Sequence, residues 1–312
     1  MKKGVTDDQL IETYRRLGSP AKVARELGIS ERVVYSRRAG LISKGFDLAT
    51  HSPGNVPVRT QAGVAELRID NGVVIVGSDA HFWPELRTAA FRGFLWACRE
   101  LKPSAVVING DMFDGASISR HPPIGWEKRP SVIQELDAVT ARLQEIQDAA
   151  KGARRFWPLG NHDARYESRL AAVAPEYREV KGVHLKDHFP EWLPCWRVDI
   201  NDDTVIKHRM RSGVHATHNN TVNSGKSIVT GHLHSLKVTP FSDYNGTRYG
   251  VDTGTLADTD GPQFVDYMEA GPSNWRSGFA VLTFRDGRLL WPELVAKVDD
   301  EHIQFRGEVI EV

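Results

Sequence analysis

Five short apolar runs in this chain each end in a cluster of glycine, acid, amide or imidazole residues. Val74, Ile75 and Val76 run into Gly77, Asp79 and His81. Val106, Val107 and Ile108 run into Asn109, Gly110, Asp111 and Asp114, and Phe156 to Leu159 run into Gly160, Asn161, His162 and Asp163. Val205 and Ile206 lead to Lys207 and His208, and Ile228 to Thr230 lead to Gly231, His232 and His234. Short apolar runs bounded by turn formers read as buried strands. The ends of such strands are where α/β folds place their sites. This pattern restricts the chain to an α/β architecture with its chemistry gathered at strand ends.

The rest of the chain agrees. The spacing predicts helices over 84–101, over 130–150 and from Arg165, alternating with strands over 105–109 and 155–159. Residues 65–69 and 73–76 flank Asp70, Asn71 and Gly72, and an Asn-Gly pair predicts a hairpin turn. From Trp196 onward the reading is mostly strands, including 204–208, 227–230, 237–240, 279–284 and 289–295. Strand-helix alternation followed by a strand-rich half fits a two-sheet α/β sandwich.

Ahead of this lies a different kind of sequence. Residues 6–40 read as three short helices. Thr6 caps the first, ahead of Asp7 and Asp8, and Leu10, Ile11, Tyr14 and Leu17 form its apolar stripe. Ser19 and Pro20 open the second, which Gly28 ends, and Ser30 caps the third. The chain therefore divides into a helical domain, 1–45, a linker, 46–62, that is rich in turn formers such as Pro53, Gly54 and Pro57, and a large domain, 63–312.

Formal net charge over the 312 residues is zero, so the chain as a whole offers no electrostatic case for nucleic acid or membrane. Up to Lys44, however, ten basic residues face five acidic ones, which leaves the N-terminal segment at +5. Cys98 and Cys195 stand in apolar surroundings without metal-ligand spacing and read as buried thiols of a reducing compartment. Met1 to Leu10 lacks the apolar run of a signal peptide, and no run of about 18 apolar residues could span a bilayer. A cytoplasmic location without membrane contact is expected.

The polar clusters suit a dinuclear metal site. Asp79 and His81, one residue apart, put a carboxylate and an imidazole on one side of the chain. Asp111 can bridge two cations about 3.5–4 Å apart, because a carboxylate has two oxygens. Asn161 offers a neutral amide oxygen, and His208, His232 and His234 offer nitrogens. His215 and His218 lie close behind His208, which is preferred because it ends a clear strand. Oxygen and nitrogen donors without a thiolate favour Mn²⁺, Fe or Zn²⁺ over soft metals without choosing among them, and Mn²⁺ is taken as the first choice.

Asp79-x-His81, Gly110-Asp111, Gly160-Asn161-His162-Asp163, the later His208 and Gly231-His232-x-His234 resemble, in order, the signature of the calcineurin-like metallophosphoesterases. The resemblance covers roughly residues 65–295, the size of one ordinary domain. It implies a four-layer α/β/β/α sandwich and two divalent ions. One ion would be held by Asp79, His81, Asp111 and His234, the other by Asp111, Asn161, His208 and His232. His162 would face the scissile phosphate and protonate the leaving oxygen, after attack by a metal-bridging hydroxide. Asp163 stands where it would either orient His162 or cap the following helix. Arg209 departs from the glycine that the family usually has after this histidine.

Gly110-Asp111-Met112-Phe113-Asp114 and the Gly160–Asp163 motif look like the versions in the recombination-repair exonuclease branch, which implies cleavage of DNA phosphodiesters. The residues after His234 read mostly as strands and leave little for the DNA-capping domain that such nucleases carry. Val23, Ala24, Leu27, Gly28, Ile29 and Val34 resemble the helix-turn-helix of phage and bacterial DNA-binding proteins. In that reading Arg32, Tyr35, Arg37 and Arg38 would meet phosphates or base edges, although Arg37 falls where the pattern often has an apolar residue. The loop from Ser117 to Arg129, with Arg120 and His121, would add substrate contacts. The alternative is a small-molecule enzyme, a cyclic nucleotide phosphodiesterase or phosphomonoesterase, with the N-terminal helices serving homodimerisation.

Overall fold

The computed structural model describes residues 5–17, 20–44, 60–61, 63–120, 129–265 and 273–312. Two compact units are present, Met1–Val56 and Pro57–Val312. The expected linker, 46–62, lies outside the described residues except for 60–61.

In the first unit, helices α1 (Asp7–Leu17), α2 (Pro20–Leu27) and α3 (Glu31–Ser43) are each too short to persist alone in water. Thr6 and Gln9 cap α1 reciprocally: the Gln9 N–H donates to Thr6 Oγ1 at 3.2 Å, and the Thr6 N–H donates to Gln9 Oε1 at 3.0 Å. What holds the helices is a shared core of Leu10, Ile11, Tyr14, Val23, Ala24, Val34 and Leu41. Gly28, at φ 64°, turns the chain between α2 and α3 in a conformation that costs glycine nothing.

The second unit runs, in chain order, through β1 (Thr60–Gln61), β2 (Val64–Leu67), β3 (Gly72–Gly77), α4 (Ala89–Leu101), β4 (Ala105–Ile108), α5 (Val132–Ala149), β5 (Arg154–Pro158), α6 (Asp163–Val173), β6 (Leu193–Cys195) and β7 (Arg197–Ile200). It continues through β8 (Thr204–Ile206), α7 (Ala216–Ser224), β9 (Ser227–Thr230), β10 (Lys237–Asp243), β11 (Gly246–Asp252), β12 (Gly278–Arg285), β13 (Arg288–Leu289), β14 (Glu293–Lys297), β15 (His302–Phe305) and β16 (Glu308–Glu311). One sheet has the order β1-β2-β7-β8-β9-β11-β10. The other has the order β16-β15-β14-β12-β3-β4-β5-β6, with β13 beside β12.

Strands β3 to β6 are parallel, and every residue of β4 is buried, as parallel strands covered on both faces must be. On one face Ile75, Val106 and Ile108 pack with Phe94 and Leu95 of α4 and with Val139 and Leu143 of α5. Truncating a fully buried residue such as Phe94 to alanine would cost about 3–5 kcal/mol. Alternation turns Val74, Val76 and Val107 to the opposite face, where they are equally buried, as are Val198, Ile206 and Val229 of the second sheet. Helix α7 covers β9, β10 and β11. The layers are thus helices, sheet, sheet, helix. Among the described residues no helix is long and apolar enough to cross a membrane. Cys98 and Cys195 are free and buried, and burial pushes both thiols up to about 12.

Three local expectations fail for identifiable reasons. The hairpin across Asp70-Asn71-Gly72 does not form, because β2 pairs β7 in one sheet while β3 pairs β4 and β12 in the other. With both edges of β3 taken, no ladder site is left for β2, and Asn71 instead accepts the Asp286 N–H at 3.3 Å. Helix α4 starts at Ala89 rather than residue 84, where Thr88 Oγ1 accepts the Phe91 N–H at 3.1 Å. Helix α7 is not signalled by the sequence, since its Thr- and Asn-rich run has no apolar stripe. Its buried side, Thr217 and Thr221, lies against Gly250 of β11 with no room for a Cβ there.

Candidate metal centre

Backbone hydrogen bonds stitch the loop following β3 to that following β4, and the loop following β8 to that following β9. The Asp79 N–H donates to Gly110 O, the His81 N–H to Asp111 O and the Gly231 N–H to His208 O, each at 2.9 Å. Glycine makes room for the carboxylates. A Cβ on Gly160 would collide with Asp111, and one on Gly231 with Asp79.

Five residues here adopt left-handed backbone conformations: Asp79 (φ 51°), His81 (39°), Asp111 (52°), His232 (70°) and His234 (53°). For residues with a Cβ this costs roughly 1–3 kcal/mol each and persists only where surrounding contacts enforce it. Such strain at five polar residues in one place makes these loops the candidate site.

The side chains form two neighbouring groups, Asp79 with His81 and His234, and Asp111 with His208 and His232. Within each group one ligand atom per residue lies within 4.8 Å of the others. His208 donates its Nδ1–H to Asn109 O at 2.8 Å. Its Nε2 then faces Asp111 Oδ2 at 3.2 Å and Asn161 Oδ1 at 3.3 Å. His234 Nε2 faces Asp79 Oδ1 at 3.1 Å. At His208, whose Nδ1–H is already committed, acceptor atoms converging at these distances require a positive charge between them. In the chain alone a proton on His208 serves: burial opposes it, but Asp111 and Asp79 push this imidazole up to about 10. A divalent cation would supply the same charge and displace the proton.

The protonation of the other groups fits metal binding. Burial opposes ionisation of Asp79, yet His234 and His208 hold it down to about 2. Asp111 is likewise held well below the carboxylate range, chiefly by His208 and His162 against burial. Burial keeps His81 and His232 below their ordinary values, so each offers a neutral nitrogen. The clustered Asp and His residues can hold metal.

Asp114 is a site residue that the sequence reading misses, although it stands three residues after Asp111 in the motif itself. Its Oδ1 accepts from His81 Nδ1 at 2.7 Å and from His162 Nδ1 at 2.9 Å. These bonds, against burial, hold its carboxyl far below the ordinary range. They direct Nε2 of His81 toward the metal position and Nε2 of His162 outward, where Arg165 lies at 3.0 Å. Burial opposes charging of His162, but Asp111 and Asp114 raise its affinity for a proton. Glu135 of α5 is a second such residue. It accepts the Gly115 and Ala116 N–H groups at 2.6 and 3.0 Å, and burial followed by the charge of Asp114 pushes it up to about 7.

Asp163, expected either to orient His162 or to cap the following helix, makes its hydrogen bonds elsewhere. Its oxygens accept from the N–H groups of Asp111, Gly160 and Phe113 and from Trp157 Nε1, at 2.9 to 3.1 Å. With four donors on two oxygens it ties the loop after β4 to the end of β5 and the loop after it, and the carboxylate that orients the His162 ring is that of Asp114. Of the competing histidines, His208 enters the site, whereas His215 precedes α7 and His218 packs edge-on to Phe241.

A cleft of about 860 Å³ opens over these groups, lined also by Arg120, Arg165, Arg169 and Arg209. Phe264 and Trp275 flank His234, with ring centroids 5.2 and 4.6 Å away. His121 lies outside the described residues. In the N-terminal unit Arg32 and Tyr35 are exposed. Arg37 is half-buried, ion-paired with Asp7 and bonded to Val5 O at 2.7 Å, while the Arg38 guanidinium lies 5.3 Å from the Tyr14 ring centroid.

Fold and site together define a mixed α/β protein built of two sheets, with paired Asp and His clusters able to hold metal. No protein-family model matches the chain. It is 26% identical over 231 residues to the gene 54 protein of Mycobacterium phage L5, covering 63% of this chain and 82% of that protein. Among solved structures it is similar to Vps29 of Chaetomium thermophilum, at 10% identity and TM-score 0.38, covering 77% of this chain and 96% of that one. It is also similar to a protein serine/threonine phosphatase from Saccharomyces cerevisiae, described as similar to human phosphatase PP5. That match has 14% identity, a TM-score of 0.38, and coverage of 77% and 85%.

Proposed function

We propose that this chain is a dinuclear metal-dependent phosphodiesterase, a DNA nuclease brought to its substrate by the N-terminal helices acting as a helix-turn-helix. The observation that supports this most is the convergence of carboxylate and imidazole groups around two adjacent points, one at Asp79, His81 and His234 and one at Asp111, His208 and His232. Asp79, His81 and His234, with Asp111, would hold one ion. Asp111, Asn161, His208 and His232 would hold the other, and Mn²⁺ is the first choice for both. Two bound divalent ions polarise phosphoryl oxygens and lower the pKa of water, which is the chemistry that phosphoester hydrolysis needs.

The chain's own residues supply the rest. Asp114 anchors the His162 ring and stabilises its charged form; once Arg165 turns from Nε2 to a phosphate, a proton on that nitrogen can pass to the leaving oxygen. Phe264 and Trp275 shield the His234 side from water. The engagement of Arg37 with Asp7 takes one cation from the DNA-reading set, which leaves room for a second reading, in which the N-terminal helices mediate self-association and the enzyme acts on small phosphoesters.

A hydrolysis panel with Mn²⁺ separates the two. It contains single- and double-stranded DNA, RNA, cyclic nucleotides, a bis-aryl phosphodiester and an aryl monophosphate. Cleavage of DNA and of the bis-aryl diester is expected. Turnover confined to the monophosphate or to cyclic nucleotides would move the protein to the second reading.

A further inference from the structure

One wall of the cleft is a face of α6. Arg165, Ser168, Arg169 and Ala172 all line it, at the three- and four-residue spacing that puts side chains on one side of a helix. Arg165 sits at the acid's ring, with one guanidinium nitrogen 3.0 Å from His162 Nε2 and another 3.1 Å from Asp114 O. Arg169 is one turn further along, about 6 Å at the helical rise of 1.5 Å per residue. It is exposed and makes no ion pair among the described residues. Arg120 and Arg209 add positive charge at the rim. The carboxylates lining the cleft, Asp79 and Asp111, both belong to the metal groups. With two cations bound, the space beyond them is strongly basic.

A single phosphate held between the metals and His162 does not need a guanidinium one helical turn away. A second phosphate does. Resting on the phosphodiesterase reading above, we infer that the α6 face is a subsite for the neighbouring phosphate of a nucleic-acid strand, on the leaving-group side of the scissile bond. The side follows from the geometry, because the residue that protonates the leaving oxygen, His162, borders α6. Arg165 spans the junction between the two phosphates, and Arg169, with Ser168 beside it, takes the second. Planar guanidinium donors suit phosphate oxygens, and a diester chain presents one such group per nucleotide. The substrate class that fits is a polynucleotide strand rather than a lone phosphomonoester or a cyclic nucleotide.

The test uses the full-length chain with Mn²⁺, and the variants Arg169→Ala and Arg169→Lys. Binding and hydrolysis are measured for a short single-stranded oligodeoxynucleotide and for a bis-aryl phosphodiester, which has no second phosphate. Arg169→Ala should raise the oligonucleotide KM roughly tenfold relative to that of the bis-aryl diester, the scale of removing a hydrogen bond between charged groups. It should also flatten the log–log salt dependence of oligonucleotide binding by about 0.7. Arg169→Lys should restore the salt slope but only part of the KM. If Arg169→Ala binds and cuts the oligonucleotide as the parent does, while the diester is still hydrolysed, the subsite is wrong and the phosphodiesterase reading stands. If the oligonucleotide binds through Arg169 yet neither compound is hydrolysed, the subsite stands and the phosphodiesterase reading falls.

Discussion

The two units of this chain treat their polar residues in opposite ways. In the three-helix unit the candidate DNA contacts lie on regular helix, unstrained, and two of the four are engaged with their own domain, Arg37 with Asp7 and Arg38 over Tyr14. In the sheet unit, five candidate ligands sit in left-handed backbone, and carboxylates such as Asp79 and Asp111 are fully or almost fully buried yet kept ionised. Burying charge and straining backbone both cost free energy, and a fold keeps such features where chemistry requires them. Ordinary helical packing makes no such demand. The contrast explains why the structure supports the metal centre more strongly than it supports the DNA-reading surface.

The sharpest way to break this contrast is to remove the shared carboxylate. Asp111→Asn should lower phosphodiester hydrolysis by at least about 10²–10³-fold and reduce the bound metal, while far-ultraviolet circular dichroism stays the same. Metal analysis reporting two ions together with full turnover would end the dinuclear assignment. His162→Gln should retain the metals and lose about 10²–10⁴ in kcat. The loss should shrink as the leaving group improves, because a good leaving group needs little protonation. A loss that ignores leaving-group pKa would contradict the acid role.

Asp114→Asn tests whether one oxygen serves both the ligand His81 and the acid His162. Metal affinity should fall about 10–100-fold, the usual cost of disturbing a partner behind a ligand, and metal titration measures it. An unchanged affinity would show that His81 needs no anchor. Deleting residues 1–45 should have the smallest effect on chemistry. Hydrolysis of the bis-aryl diester should not change, whereas DNA binding should weaken. Its salt slope should flatten by about one unit for every phosphate that the helices had neutralised. If the truncated protein binds DNA as before at every salt concentration, the helices do not read DNA, and self-association becomes their better role.

The sequence alone determined the order of strands and helices around the site, helix α7 excepted, and the identity of the residues at the strand ends. Those signals are local: an apolar run predicts a strand, and a run ending in Gly-Asp or Gly-His places a donor after it. Asp79, His81, Asp111, His208, His232 and His234 were legible for that reason, as were the caps at Thr6 and Ser30 that start regular helices. Only the tertiary structure decided which sheet each strand joined. Asn71-Gly72 is a good hairpin turn by itself, but β12 and β4 occupy both edges of β3, so β2 was sent to the other sheet. Only the tertiary structure, too, divided the roles of the carboxylates. Asp114 and Asp163 both follow apolar strands, and nothing in their spacing says which one turns toward the His162 imidazole. That depends on four N–H donors, three of them on the backbone, that converge on Asp163 and leave Asp114 facing the two histidines.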